Sequence, residues 1–273
     1  IQQNYEVFYS SHDGALLRHD MGTVYLEVFP RGKTGEYTIP DDVNVIRDNV
    51  FRYSQITRLT VGNGVTLISR RAFYSCSALQ SLEFKSGGTS ALEIDPEAFY
   101  STTNLVSISL PARLAEMDLL MLNQFTKLTT IKVEAGGTHY SSLNNMICNA
   151  SGNAILYAPM GVSGEYEIPL GIREIGPCAF VSHNGLTKVI IPNYVNKIGK
   201  RAFAQSAGIT EVVIEGSRGN DLLIDKMAFA GCDRIRVITF QGNGTSTADI
   251  GAITIGESAF EGAKRLDSII YEA

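Results

Sequence analysis

The chain has 273 residues, of which 44% are hydrophobic and 19% are charged, and its formal net charge is −5. This composition can supply a buried core and excludes an intrinsically disordered chain. The acidic balance argues against a general binder of nucleic acid or of anionic membranes, since both need a basic surface. No apolar run approaches the ~18 residues of a transmembrane helix.

The first stretch of the chain predicts a small antiparallel flap. Residues 1–10 are expected to form a lead-in strand, and turn signals follow at Asp13-Gly14 and Met21-Gly22. Short β-rich runs separated by glycine turns are typical of a hairpin or a three-stranded sheet. The flap ends at residues 39–40, Ile-Pro, where a repeated pattern begins.

The repeated unit is clearest in residues 191–214, IPNYVNKIGKRAFAQSAGITEVVI. Its pattern is I-P-x-x-V-x-x-I-x-x-x-A-F-x-x-x-x-x-L-x-x-V-x-I, and its aromatic position recurs at Phe51, Phe73, Phe99, Phe180, Phe203, Phe229 and Phe260. A degenerate fourth unit carries Met121-Leu122 where Ala-Phe is expected. Repeats with a period of roughly 20 to 30 residues indicate a solenoid.

The two halves of the chain are copies of one module. The segment GEYTIP at residues 35–40 recurs as GEYEIP at residues 164–169, within a second flap at residues 141–169. The third repeat of each half is also preceded by a longer link than the usual one. We therefore predict two modules, residues 1–138 and 139–273, each a β-flap plus four repeats, in one continuous solenoid.

The pattern also predicts the shape of each unit. The segment L-x-x-V-x-I alternates with period two, as expected for a strand with one buried face, and the proline that often follows ends the strand. The segment x-x-x-A-F is long enough for one helical turn, with phenylalanine filling the space between coils. The predicted fold is an α/β repeat solenoid, β-dominated, with short strands, short helical turns and two β-hairpin flaps.

The repeat closely resembles the BspA-like class of bacterial leucine-rich repeats. Residues 175–203, IGPCAF…LTKVIIPNYVNKIGKRAF, are nearly a consensus specimen, and the match covers roughly residues 39–134 and 168–271. The resemblance implies a leucine-rich-repeat solenoid and, commonly, a cell-surface or secreted location. Some relatives are adhesins for host matrix proteins. The matching residues are the buried ones, so the resemblance specifies the fold and leaves the partner open.

One surface carries information about binding. With V-x-I facing inward, the middle residue of each strand faces the open side of the sheet. In the first module that side is polar. In the second module it is apolar in part, and contiguous apolar patches often mark contact sites. The predicted contact face comprises Ile190, Val213, Val237, Ile270, Lys188 and Glu211.

Other chemistry has weak support in the sequence. Cys76 and Cys232 lie three residues after a repeat phenylalanine and are interpreted as small buried fillers rather than a disulfide or metal site. No histidine belongs to a metal or triad signature, so neither catalysis nor a cofactor is predicted. Asp221, Asp225 and Asp249 lie in or beside long insertions and are interpreted as solvated loop acids rather than calcium ligands.

The sequence therefore favours a cell-surface or secreted bacterial recognition protein without enzymatic activity. Its expected partner is a protein, such as a host extracellular matrix protein, with self-association as a further expectation. The chain begins at Ile1 without a secretion signal, which is interpreted as a mature or trimmed form. The alternative is a carbohydrate-binding or glycan-uptake accessory, for which an aromatic platform is needed. Its candidates are the flap tyrosines Tyr25, Tyr37, Tyr157 and Tyr166.

Overall fold

The computed structural model describes residues 7–215, 221–242 and 252–272. The chain divides into two compact units, Ile1–Ser141 and Ser142–Ala273, here called unit 1 and unit 2. Residues 1–6 of the predicted lead-in strand and Asp249 lie outside the described residues. The fold is β-dominated, as the sequence predicts, and each unit is built mainly from parallel strands of successive coils.

In the described part of unit 1, two sheets have the strand orders β1-β2-β3-β5-β7-β9 and β11-β10-β8-β6-β4. The strands are β1 (Phe8–His12), β2 (Ala15–Asp20), β3 (Thr23–Val28), β4 (Thr34–Thr38), β5 (Val45–Ile46), β6 (Gln55–Val61), β7 (Leu67–Ile68), β8 (Ser81–Phe84), β9 (Glu93–Ile94), β10 (Ser107–Leu110) and β11 (Thr130–Val133). A 3-10 helix, Leu119–Gln124, precedes β11.

Unit 2 is organised in the same way. Its described strands are β12 (Tyr140–Leu143), β13 (Met146–Asn149), β14 (Ala154–Tyr157), β15 (Gly164–Glu167), β16 (Glu174–Ile175), β17 (Leu186–Ile191), β18 (Lys197–Ile198), β19 (Glu211–Glu215), β20 (Leu222–Ile224), β21 (Val237–Gln241), β22 (Ile253–Ile255) and β23 (Ser268–Glu272). They form sheets of order β12-β13-β14-β16-β18-β20-β22 and β15-β17-β19-β21-β23. Each coil therefore contributes one short and one long strand.

The predicted flaps are antiparallel ribbons that continue into the coil sheets. In unit 1, β1 pairs with β2 and β2 with β3, and both connecting turns have positive φ at their two central residues, as in Asp13-Gly14 with 47° and 83°. Such turns match the twist of a hairpin. The last flap strand then pairs in parallel with the first coil, β3 with β5 and β14 with β16. Each ribbon thus covers one end of a stack of coils.

The phenylalanines of the repeat form the core between coils, as predicted. Phe203 is fully buried, and its ring is stacked between Phe180 at 4.8 Å and Phe229 at 4.9 Å. Unit 1 repeats this arrangement, with Phe73 at 4.9 Å from both of its phenylalanine neighbours. The alanines that precede these phenylalanines are buried as well. Burying each phenylalanine contributes ~1.5–3 kcal/mol.

The segment around each Ala-Phe pair is a chain of hydrogen-bonded turns, so the predicted helical turn is wrong for most coils. Backbone φ is +56° at Arg201 and +61° at Gln205, on either side of Phe203, and these angles are incompatible with an α-helix. The backbone N–H groups there bind the next coil instead, as in Phe203 N to Ala228 O at 2.8 Å. Within the described residues, helix occurs only in the degenerate fourth repeat of unit 1, at Leu119–Gln124.

In several coils, the position three residues after the phenylalanine carries a buried side chain that donates to the preceding coil. Cys76 Sγ lies 2.9 Å from Phe51 O, and Cys232 Sγ lies 3.1 Å from Phe203 O. Ser206 Oγ donates to Phe180 O at 2.7 Å and also accepts from His183 N at 2.9 Å. The cysteines are therefore buried, as predicted, but they also act as hydrogen-bond donors between coils.

Candidate binding face of unit 2

The strand register brings the predicted contact residues of unit 2 into two adjacent rows on one sheet. Ile190 pairs with Val213, Val213 with Thr239, and Thr239 with Ile270. The neighbouring row contains Lys188, Glu211, Val237 and Ser268 in the same order of strands. The period-two alternation of the strands places these side chains opposite the buried residues of the same strands.

Accessibility differs along the apolar row. Ile270 is 39% exposed and Ile190 is partly exposed, whereas Val213 is only 7% exposed. Thr239 is covered to the same degree, at 6% exposure. The accessible apolar area of the face therefore comes mainly from Ile190, Val237 and Ile270, with Val213 lying beneath its neighbours.

Charged side chains border the apolar row on both sides. Lys188 Nζ lies 3.2 Å from Glu211 Oε1 and 4.0 Å from Glu165 Oε1, so one lysine links three neighbouring strands. On the other side, Gln241 Nε2 donates to Glu272 Oε2 at 3.1 Å. Such exposed pairs contribute ~0–1 kcal/mol to stability, and their main effect here is to set the charge pattern around the apolar residues.

The equivalent face of unit 1 is polar. Thr60, which occupies the position of Ile190, has Glu83 as its neighbour on the next strand. Arg58 forms ion pairs with Glu36 at 3.2 Å and with Glu83 at 3.1 Å. Ser81 and Ser107 join the next two strands by a hydroxyl contact of 3.1 Å. The two modules thus share a fold but present different chemistry on the same sheet.

The buried thiols and the buried histidine are poorly suited to act as nucleophiles or as acid–base groups. Burial raises the pKa of Cys76 and of Cys232 to about 12 and that of Cys148 to about 11, which keeps these thiols protonated. Burial lowers the pKa of His183, whose ring nitrogens face Pro159 O at 3.1 Å and Val181 O at 3.3 Å. These groups hold coils together.

The described residues contain no group of three or more His, Cys, Asp or Glu side chains that could hold a metal ion. Two of the loop acids considered for calcium accept hydrogen bonds from backbone N–H groups. Asp221 Oδ1 accepts from Ala252 N at 2.8 Å, and Asp225 Oδ1 accepts from Lys226 N at 2.6 Å. Among all the described residues, no helix is long and apolar enough to cross a membrane.

The four flap tyrosines do not form an exposed platform. Tyr37 and Tyr157 are 3% and 1% exposed. The guanidinium of Arg18 lies 4.0 Å from the ring centre of the partly exposed Tyr25. Tyr166 packs against the core of unit 2, with its hydroxyl 3.4 Å from Met146 Sδ. A sugar ring therefore finds no bare aromatic face among these four residues.

The sequence reasoning missed a second exposed feature, on the turns of unit 1. Tyr74 and Tyr100 each follow a core phenylalanine directly, and their rings stack on the outside of the coils. We call Arg52, Tyr53, Arg71, Tyr74 and Tyr100 the turn-edge ladder. The signal for it in the sequence is the Phe-Tyr pair that occurs in two successive repeats, at residues 73–74 and 99–100.

In each unit, the strands of successive coils pair in parallel and a stack of phenylalanine rings lies between the coils. This arrangement defines each unit as a leucine-rich-repeat solenoid. The family model for the BspA type leucine rich repeat region matches residues 23–149 and 163–273, in six copies. The chain belongs to the BspA-type leucine-rich-repeat family.

Solved structures of bacterial leucine-rich-repeat proteins are similar to this chain. A leucine-rich repeat protein from Eubacterium ventriosum shares 14% identity with a TM-score of 0.50, over 97% of this chain and 93% of that one. A leucine rich cell surface protein from Faecalibacterium prausnitzii shares 18% identity with a TM-score of 0.41, over 97% and 95%. The pneumococcal vaccine antigen PcpA shares 18% identity with a TM-score of 0.47, over 100% and 88%. A comparison with curated protein sequences found no significant match.

Proposed function

We propose that the chain is a cell-surface or secreted bacterial recognition protein that binds a protein ligand on the sheet face of unit 2. Membership of the BspA-type family supports a binding role, since the repeat supplies a scaffold for an extended contact surface. The observation that carries the proposal is the row of Ile190, Val213, Thr239 and Ile270, with charged side chains beside it at Lys188, Glu211 and Glu272. An apolar centre with a polar rim is the usual anatomy of a protein interface.

The proposal predicts that a charge within the apolar row abolishes binding. We expect Ile190→Glu together with Val213→Glu to weaken ligand binding at least about tenfold, because a buried unpaired carboxylate faces the partner. The assay is surface capture of the purified protein on immobilised host matrix proteins, run beside a glycan array. The single variant Ile190→Glu supplies a second test at the more accessible position, in case Val213→Glu disturbs folding.

Thr60→Glu is the matched control, because Thr60 occupies the equivalent position on the polar face of unit 1. It should bind as the unmodified protein does, with the same melting temperature. Unchanged binding by a correctly folded Ile190→Glu protein would rule out this face as the site. Capture on the glycan array without capture on any protein would favour the carbohydrate-binding alternative instead.

A further inference from the structure

The turn-edge ladder of unit 1 is an ordered row of tyrosine and arginine side chains. The coils are spaced by the phenylalanine stack, so residues one position further along also come into register. Tyr74 and Tyr100 stack with ring centres 5.9 Å apart and an interplanar angle of 7°. Tyr53 meets Tyr74 edge-on at 5.6 Å. Tyr53 and Tyr100 are 43% and 51% exposed, so the row lies at the surface.

Two guanidinium groups are held against these rings. Arg52 lies 4.8 Å from the ring centre of Tyr53 and 5.0 Å from that of Tyr74. Arg71 lies 5.9 Å and 5.7 Å from the ring centres of Tyr74 and Tyr100. Guanidinium groups stack on aromatic faces in this way, and a stacked arginine loses less side-chain entropy when it binds a ligand. The ladder is therefore preorganised for contact.

The two arginines of the ladder differ in their acidic neighbours: Arg71 has a carboxylate partner and Arg52 has none among the described residues. Glu97 pairs with Arg70 at 2.7 Å and with Arg71 at 2.9 Å, and Asp48 and Asp95 also act on Arg70. At the other end, Arg52 Nη2 donates to Tyr53 Oη at 3.1 Å, and this hydrogen bond lowers the pKa of Tyr53. The positive charge at this end of the ladder is therefore available to an anion.

The geometry also narrows the class of partner. Each ring already has a parallel or cationic neighbour, so the ladder offers mainly ring edges, hydroxyl groups and guanidinium N–H groups. The chain as a whole is acidic, with a net charge of −5, which disfavours long polyanions such as nucleic acids. Tyrosine and arginine are among the residues most enriched in protein interface hot spots.

We propose that the turn-edge ladder binds an acidic peptide segment of a protein partner, with Arg52 contacting a carboxylate and the three tyrosines supplying the contact area. An arginine binds a carboxylate through two parallel hydrogen bonds, and such charge-assisted bonds are stronger than neutral ones. The site lies in unit 1 and is independent of the binding face proposed for unit 2.

The test uses the full chain and a fluorescein-labelled peptide of Asp, Glu and Gly, followed by fluorescence anisotropy. A peptide with Asn and Gln in place of the acids is the neutral comparison. We expect the acidic peptide to bind more tightly and its affinity to fall between about 50 and about 300 mM salt, because the contacts are partly exposed. Arg52→Gln should weaken binding about tenfold, and Arg52→Lys should weaken it less.

Tyr100→Ala tests the aromatic part of the ladder at a position far from the free charge, and it should also weaken binding. Arg234→Gln is the control, since it removes an exposed arginine of unit 2 and should leave the affinity unchanged. Equal binding of the acidic and neutral peptides, or unaltered binding by a folded Arg52→Gln protein, would overturn the proposal. So would a sulfated oligosaccharide that binds at the ladder when the acidic peptide does not.

Discussion

At the scale of single residues, the side chain three positions after the phenylalanine joins neighbouring coils at Cys76, Thr102, Ser206 and Cys232. Ser206 has the largest role, because its hydroxyl donates to Phe180 O and accepts from His183 N. In the other coils the backbone closes this turn itself, as in Ser54 N to Phe51 O at 2.8 Å. In the turn from Phe180 to His183, the Ser206 hydroxyl takes the place of this backbone hydrogen bond and also links the two coils.

Ser206→Ala removes one oxygen atom and should nevertheless lower the stability of the fold substantially. It leaves a buried N–H of His183 and a buried carbonyl of Phe180 without this partner, and we expect a loss of ~2–3 kcal/mol in the free energy of unfolding. Urea denaturation followed by circular dichroism measures it. Ser54→Ala is the control, since Ser54 Oγ only accepts from Ile56 N at 3.3 Å, and it should cost less than ~1 kcal/mol. Equal losses in the two variants would contradict this account.

At the scale of elements, the stacked phenylalanines unite the coils of each unit. Phe203 is fully buried between two rings, whereas Phe260 in the last described coil is partly exposed and, within the described part of the chain, stacks on Phe229 alone, at 5.2 Å. The same residue type in the same repeat position therefore has two different environments. The stability that a phenylalanine contributes should depend on how many coils cover it.

Phe203→Ala should lower the free energy of unfolding by ~3–5 kcal/mol, because it removes a large buried side chain and leaves a cavity between two rigid coils. Phe260→Ala should cost clearly less, about 1–2 kcal/mol, since solvent already reaches one side of that ring. Both values are measured by urea titration, with a check that the dependence of the free energy of unfolding on urea concentration is the same in all variants. A loss at Phe260 as large as that at Phe203 would show that the last coil is covered in solution.

Much of this element-level organisation could be predicted from the sequence. The alternation of V-x-I gave the rows correctly, and the register of Ile190, Val213, Thr239 and Ile270 confirms them. The prediction of a helical turn was wrong because the spacing of Ala-Phe reveals burial but not backbone angles. The positive φ values near Phe203 accompany hydrogen bonds to the next coil, which the spacing does not reveal.

The missed features of the site have a common physical origin. Periodicity identifies positions that are buried by coil after coil, and those positions are alike in both units. The proposed binding chemistry lies at positions that vary, such as those of Tyr74 and Tyr100, where unit 2 has Ala204 and Ala230. The exposure of Val213 could not be predicted either, because it depends on how neighbouring side chains on the same face cover it.

At the scale of the whole molecule, the last described coil leaves core positions uncovered. Ile269 and Tyr271 occupy the inward columns of Ile238 and Phe240, yet they are 64% and 58% exposed, whereas Ile238 is 1% exposed. Their strand, β23, also lies at the edge of its sheet. An apolar edge strand with free backbone groups is a template for pairing with another chain.

We therefore expect the 273-residue chain to self-associate through β23 as its concentration rises. The average mass in sedimentation velocity should increase with concentration, and Ile269→Lys with Tyr271→Lys should reduce this increase, because two charges at an apolar edge oppose pairing. The control is Thr103→Lys with Thr126→Lys, which adds the same charge at exposed positions of unit 1 and should leave association unchanged. A constant monomer mass across the concentration range would rule out β23 as a self-association edge, and equal suppression by both double variants would attribute the effect to net charge alone.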